Sequence, residues 1–300
     1  MRNDLKLYSK VKKLIHHQFH KHGHKLKDKL YLKILFYIKF GYRLDLKNPK
    51  TYNEKCQWLK LNYRNKDLIP LVDKFEVKKI VSDKIGEDFV VKNYGVWNSF
   101  DEISFDKLPN QFVIKTTHDS SGAIICKDKS KFNYEKVKAI VERNLIKNAY
   151  LPVREWAYNY VKPRIIVDEL IDTTGEEGLM DFKFFCFDGE PKLVVVERER
   201  IGKKVKADFY DMNCNHLDIT QGGTQSGEIL NKTEDFETMV SFAKILSVNI
   251  PHIRIDFFYT NKNIYFAEFT MYQHGGIQRF HPEKWDRILG DWIDLSKIKK

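Results

Sequence analysis

The 300-residue chain lacks any uninterrupted apolar run long enough to span a bilayer. Its most apolar early stretch, Tyr31 to Tyr42, is short and carries Lys33 and Lys39, so it reads as an amphipathic or buried helix. The first residues lack an apolar core followed by small residues, and no secretory signal is expected. Cysteine is scarce: Cys56, Cys126, Cys186 and Cys214 form no CxxC pair, which excludes a zinc ribbon and a disulfide framework and suits a reducing cytosol. Proline and glycine are few, at 8 and 15, and the chain is 42% hydrophobic and 31% charged, which excludes fibrous and disordered classes. A folded chain remains, long enough for two or three subdomains around one site.

Acidic residues are also in deficit. The net charge of +11 suits a polyanionic partner. Much of the excess lies in the first thirty residues, where Lys6, Lys10, Lys12, Lys13, Lys21, Lys25, Lys27 and Lys29 mix with His16, His17, His20, His22 and His24. That arm, residues 1–29, is expected either to be solvated or to contact an anionic membrane surface or glycan. Its histidines lack the carboxylate or cysteine partners of a metal site.

Residues 1–60 read as a basic, helical amino-terminal cap, with helices over Leu30 to Phe40 and Asn53 to Tyr63. A helix is expected over Leu68 to Lys84, stopping near Gly86, then a strand over Phe89 to Trp97. Strands follow at Phe112 to Lys115 and Ala123 to Cys126 around the loop His118-Asp119-Ser120-Ser121-Gly122. Asn133 to Lys147 reads as a helix, Arg164 to Leu170 as a strand, and Phe182 to Phe187 with Lys192 to Glu197 as a hairpin turning at Asp188-Gly189. A helix over Glu234 to Leu246 precedes a final hairpin, Ile253 to Tyr259 and Ile264 to Phe269. The fold class is α/β (α+β), and no internal repeat is visible.

Three places carry charge where an apolar strand residue is expected. Arg254 and Asp256 share one strand face by the period of two, and Glu268 on the partner strand can join them. Hard oxygen ligands of this kind suit Mg²⁺, and an Arg254–Glu268 salt bridge without metal is the alternative. Lys115 ends an apolar strand just before a small polar loop, an arrangement that can hold phosphate oxygens. Asp181 and Lys183 sit on one face beside Phe184 to Phe187.

In this order and spacing the elements resemble the ATP-grasp superfamily. Tyr52-Asn53-Glu54-Lys55-Cys56-Gln57-Trp58-Leu59-Lys60, Asp181-Phe182-Lys183-Phe184-Phe185-Cys186-Phe187-Asp188-Gly189 and Gly290-Asp291-Trp292 look like its TupA-like branch, over roughly residues 40 to 295. The resemblance implies two α+β subdomains gripping ATP: 61–110 as the segment before the grasp, 111–170 as a lid and 171–300 as the catalytic subdomain. It implies that Lys74 and Lys115 hold phosphate oxygens and that Ser120, Ser121 and Gly122 close over the nucleotide. Glu169 and Leu170 would receive adenine, Asp181 the ribose or a neighbouring lysine, and Lys183 and Arg254 the transferred phosphoryl group. Asp256, Glu268 and Thr270 would hold magnesium, Thr270 standing where the family's Glu-x-Asn pattern has asparagine. Gln273-His274-Gly275-Gly276 would border the acceptor pocket.

The activity implied is ATP-dependent, Mg²⁺-assisted joining of a carboxylate to an amine through an acyl phosphate, in the cytoplasm or at the inner membrane face. The branch belongs to bacterial surface polysaccharide synthesis, so a uronic acid or amino acid is expected as the carboxylate. Arg198 and Arg200 are candidates to bind it; no nucleic acid is expected as a partner. Two other readings are a glycosyltransferase with Asp208 to Asp211 as its acidic motif and a non-catalytic glycan- or membrane-binding module.

Overall fold

The computed structural model describes residues 23–119, 122–174, 178–198 and 205–298. Helix α1 (Asp28–Phe40) buries Tyr31, Leu32, Leu35 and Phe36 on one stripe, and Gly41 closes it in the left-handed conformation at φ 77°. Helix α2 (Tyr52–Asn62) starts on a capping box: Glu54 N donates to Thr51 Oγ1 at 3.2 Å, and Thr51 N donates to the Glu54 carboxylate at 3.1 Å. Its inner face mixes chemistries, because Asn53, Gln57 and Lys60 are as fully buried as Tyr52 and Cys56.

The helix expected over Leu68 to Lys84 is broken. It divides into α3 (Ile69–Val72) and α4 (Glu76–Ile85), and between them Asp73 Oδ1 accepts from Phe75 N at 2.8 Å and Glu76 N at 3.2 Å. Asp73 is a helix-capping residue, and the Asp-x-x-Glu spacing is its signature in the sequence. The next strand is also shorter than expected. A 3₁₀ turn over Glu87–Phe89 delays β1 to Asn93–Trp97.

In β2 (Phe112–Thr116) Phe112 and Ile114 are fully buried on one face while Val113 and Lys115 take the other. With β3 (Ile124–Cys126) and β4 (Ile165–Glu169) it builds an antiparallel sheet in the order β1-β4-β2-β3. Helix α5 (Tyr134–Leu145) covers the Phe112 face with Val137 and Val141.

The larger sheet is antiparallel, in the order β10-β9-β5-β6-β7-β8. It comprises β5 (Met180–Phe187), β6 (Glu190–Arg198), β7 (Lys206–Asp211), β8 (His216–Leu217), β9 (His252–Thr260) and β10 (Asn263–Thr270). Asp188-Gly189 and Asn261-Lys262 all have positive φ, the backbone that two-residue hairpin turns require. Helix α6 (Glu234–Ser247) packs Phe236, Met239 and Ala243 on the face bearing Phe184, Ile255 and Phe257. The opposite face carries Asp181, Lys183, Arg254 and Asp256.

Helix α7 (Lys284–Asp291), not anticipated from the sequence, lies against the start of α2. Gly290 permits this, since a Cβ there would meet Lys50 O at 2.3 Å. Among the described residues no helix is long and apolar enough to cross a membrane.

Candidate active site between the two sheets

A cavity of about 420 Å³ separates the two sheets, bounded by α3 and α4, by Val113, Lys115 and Asp168 of the smaller sheet, and by Phe258, Phe266 and Glu268 of the larger. Buried Asp168 organises one wall. Lys115 Nζ and Lys78 Nζ each lie 3.1 Å from its carboxylate, on different oxygens, and Asn93 Nδ2 donates to it at 2.9 Å. The two cations outweigh burial and hold the Asp168 carboxyl below its usual pKa.

Lys74 enters from the break between α3 and α4, where Lys74 N donates to Thr117 O at 3.0 Å and Lys74 Nζ lies 3.7 Å from Asp119. Burial lowers the pKa of Lys74 and Lys78; Asp119 and Glu268 oppose this at Lys74, Asp168 opposes it at Lys78, and Lys115 depresses both further. Three crowded ammonium groups make this wall a place for an anion. Glu169 and Leu170, at the end of β4, line the same cavity.

The sequence pointed to Lys74 and Lys115 but missed Lys78. It is one of three lysines on α4, and nothing in the local pattern singles it out. Gly122 (φ 101°) is pressed against α5, where a Cβ would meet Asn144 Nδ2 at 2.6 Å. Ser120, Ser121 and Arg200, and most of the histidine run, lie outside the described residues.

A second set of charges lies on the polar face of the larger sheet. Lys183 Nζ is 2.6 Å from Asp181, 3.1 Å from Asp256 and 3.5 Å from Glu197. Arg254 Nε lies 2.7 Å from Asp256 Oδ1; its Nη2 touches Asp256 Oδ2 and, at 3.1 Å, Glu268 Oε1, while Nη1 reaches Gln273. Burial penalises all of these charges. At Lys183 the carboxylates of Asp256 and Asp181 overcome that penalty and raise the pKa, and at Asp256 the cations Arg254 and Lys183 overcome it and lower the pKa. Glu268 is the accessible member, its side chain 42% exposed toward the cavity.

A β-bulge aims Glu268. Phe266 pairs with Phe257, but the next paired position is Glu268 with Asp256, so Ala267 is the extra residue. A regular ladder would set Glu268 opposite Ile255, on the face that α6 covers. The hairpin alone therefore does not bring the two carboxylates together.

The donor set fits a hard cation. Carboxylate oxygens from two strands converge within reach of one guanidinium nitrogen, and Thr270 Oγ1 lies 3.1 Å from Glu268 Oε1. The Arg254–Glu268 salt bridge expected as the alternative is itself present. Among the described residues no group of three or more His, Cys, Asp or Glu side chains is gathered for a metal, so phosphate oxygens and water would complete the shell.

Behind this network, α2 holds the loop that follows β10. Gln57 Nε2 donates to Gly276 O at 2.6 Å, Lys60 Nζ donates to Gly275 O at 2.6 Å and Val153 O at 2.7 Å, and Gln273 N donates to Tyr52 Oη at 3.2 Å. Tyr52 and His252 are joined through Nε2 at 2.9 Å, and Nδ1 of the same ring lies 2.9 Å from Cys186 O. A carbonyl only accepts, so Nδ1 carries the proton and Tyr52 donates to Nε2. The Tyr52 to Lys60 motif is thus a clamp on residues 273–276.

Asp208 and Asp211 do not form an acidic ligand pair. Fully buried Asp208 accepts from Ser226 N, Gly227 N and His216, and lies 3.4 Å from Arg198, while Asp211 caps the turn to Asn215. Arg198 is committed there and to Glu228 at 3.0 Å.

The order of these elements matches a known sequence family. A profile described as TupA-like ATP-grasp covers residues 54–294. The chain belongs to the TupA-like ATP-grasp family. No curated protein sequence matches this TupA-like chain. Among solved structures, an L-amino acid ligase from Bacillus licheniformis aligns with TM-score 0.51 and 9% identity over 91% of this chain and 64% of its own. A D-alanine–D-alanine ligase from Bacillus anthracis aligns with TM-score 0.44 and 17% identity over 74% and 66%. The TupA-like chain thus spans under two thirds of the length of either ligase. Its two antiparallel sheets and their covering helices form the ATP-grasp fold.

Proposed function

We propose that the protein is an ATP-dependent carboxylate–amine ligase acting in the cytoplasm on a uronic acid or amino-acid group of a bacterial surface polysaccharide precursor. The observation that carries this reading is a cavity lined by Lys74, Lys78 and Lys115 and also by Glu268, the accessible member of the buried Arg254–Asp256–Lys183 network behind it. Family membership and the net charge of +11 support this choice of substrate class.

ATP is seated with its base at Glu169 and Leu170 and its phosphates toward Lys74, Lys78 and Lys115. The carboxylate substrate attacks the γ-phosphorus to give an acyl phosphate and ADP; the amine then displaces phosphate to leave an amide. Neither step needs a protein nucleophile. The residues hold the reactants in line and neutralise charge as it spreads over the transferred phosphoryl group, the task of Arg254 and Lys183. Magnesium held at Asp256, Glu268 and Thr270 would supply further charge neutralisation. Asp181 keeps Lys183 charged and aimed.

The test is ADP release from Mg-ATP with a panel of uronic acids, amino acids and amines, beside Glu268→Gln. Amine-dependent ADP release that falls about 100-fold in the variant supports the ligase. Lack of ATP binding by the wild type would overturn it.

A further inference from the structure

We propose that His274 takes the proton from the incoming amine, an assignment that rests on the ligase reading. Three consecutive residues, His274, Gly275 and Gly276, have left-handed backbone, with φ of 47°, 62° and 61°. That conformation is ordinary for glycine and strained for histidine. The neighbours enforce it. A Cβ on Gly275 would meet Val153 Cβ at 2.9 Å, and one on Gly276 would meet Cys56 Cβ at 2.5 Å, so both positions press flat against the protein.

Tyr52, Gln57 and Lys60 then fix the backbone on either side, at Gln273 N, Gly275 O and Gly276 O. The one large side chain this segment presents is His274. It is exposed, it has no hydrogen-bond partner among the described residues, and it lines a small cavity with Glu197, Gln221 and Gln273. The charged groups facing it are Arg254 of β9, Glu197 of β6 and Lys183 of β5. Two of these are the cations assigned to the phosphoryl group, and the small cavity that His274 lines shares no residue with the nucleotide cavity. This is where an acceptor must approach if ATP fills the cleft.

Desolvation, then Arg254 and Lys183, lower the imidazole pKa against the opposing Glu197, and the ring is neutral at physiological pH. In the step proposed, an imidazole nitrogen removes one proton from the substrate ammonium. The freed nitrogen lone pair attacks the acyl carbon; the C–N bond forms, and the C–O bond to phosphate breaks. The remaining excess proton leaves the nitrogen with the departing hydrogen phosphate, and His274 returns its own to water.

The experiment compares two nucleophiles in the wild type, His274→Asn and His274→Ala, using the carboxylate and the amine that support ADP release. One nucleophile is that amine, an ammonium ion at neutral pH. The other is hydroxylamine, whose nitrogen is already unprotonated and needs no base. Asparagine tolerates left-handed backbone, so His274→Asn keeps the loop while removing the base. The expected result is a loss of about 100-fold in kcat with the amine at neutral pH, a shift of the acid limb of its pH profile from the imidazole's pKa to the amine's own, and no more than a few-fold change with hydroxylamine. Equal losses with both nucleophiles, or no loss with either, overturn the assignment. A wild type that releases no ADP with any carboxylate overturns the ligase reading and this assignment with it.

Discussion

Asp168 shows how a single buried carboxylate can arm an anion site. It fixes Lys78 and Lys115 at 3.1 Å each, and neither cation is fully neutralised by its half share. Lys78→Met and Lys115→Met should each weaken AMP-PNP binding by roughly 10- to 100-fold, the scale of one hydrogen bond to a charged group, measured by titration calorimetry. Unchanged affinity in Lys78→Met would show that this lysine serves only Asp168. Asp256, Glu268, Arg254 and Lys183 were legible in the sequence because a charge on an apolar strand stands out against its neighbours. Lys78 was not, because in a helix rich in lysine nothing local separates the inward one from the outward ones.

At the scale of elements, the loop of residues 273–276 and the bulge at Ala267 carry the geometry. Deleting Ala267 would remove the bulge yet leave Phe266 opposite Phe257 and Glu268 opposite Asp256 in a regular ladder, so turnover should survive; its complete loss would show that the bulged backbone itself aims the carboxylate. Gly276→Ala should destabilise by roughly 1–3 kcal/mol in a denaturant titration, since its Cβ collides with Cys56 and its φ is positive. His252 gives a pH signature. Burial lowers its pKa from 6.5 to about 4. Between those values the unfolded chain binds the proton and the folded one does not, so stability falls as pH drops through this window. The contribution is about 3 kcal/mol, and the difference in slope between wild type and His252→Gln measures it. Strand and helix positions were readable from periodicity, but the bulge, the clamp and the Asp73 break were not. Each depends on contacts between residues far apart in sequence, or on one capping side chain inside an otherwise helical pattern.

For the whole molecule, the cleft between two independent sheets predicts that nucleotide joins them. At about 100 times its Kd, AMP-PNP should add about 2.7 kcal/mol and raise the melting temperature by several degrees. The basic arm predicts sedimentation with anionic vesicles that is lost when residues 1–29 are removed; unchanged sedimentation would leave the arm a solvated tail. Asn53 bonds Asp286, 233 positions later, so at 5–20 residues per second α2 waits roughly 12–47 s on the ribosome for its partner. An inner face of asparagine, glutamine and lysine among its apolar residues stays hydrated through that interval. Gln57 and Lys60, which later grip the His274 loop, thus also keep the waiting helix from presenting an unbroken apolar face to its neighbours.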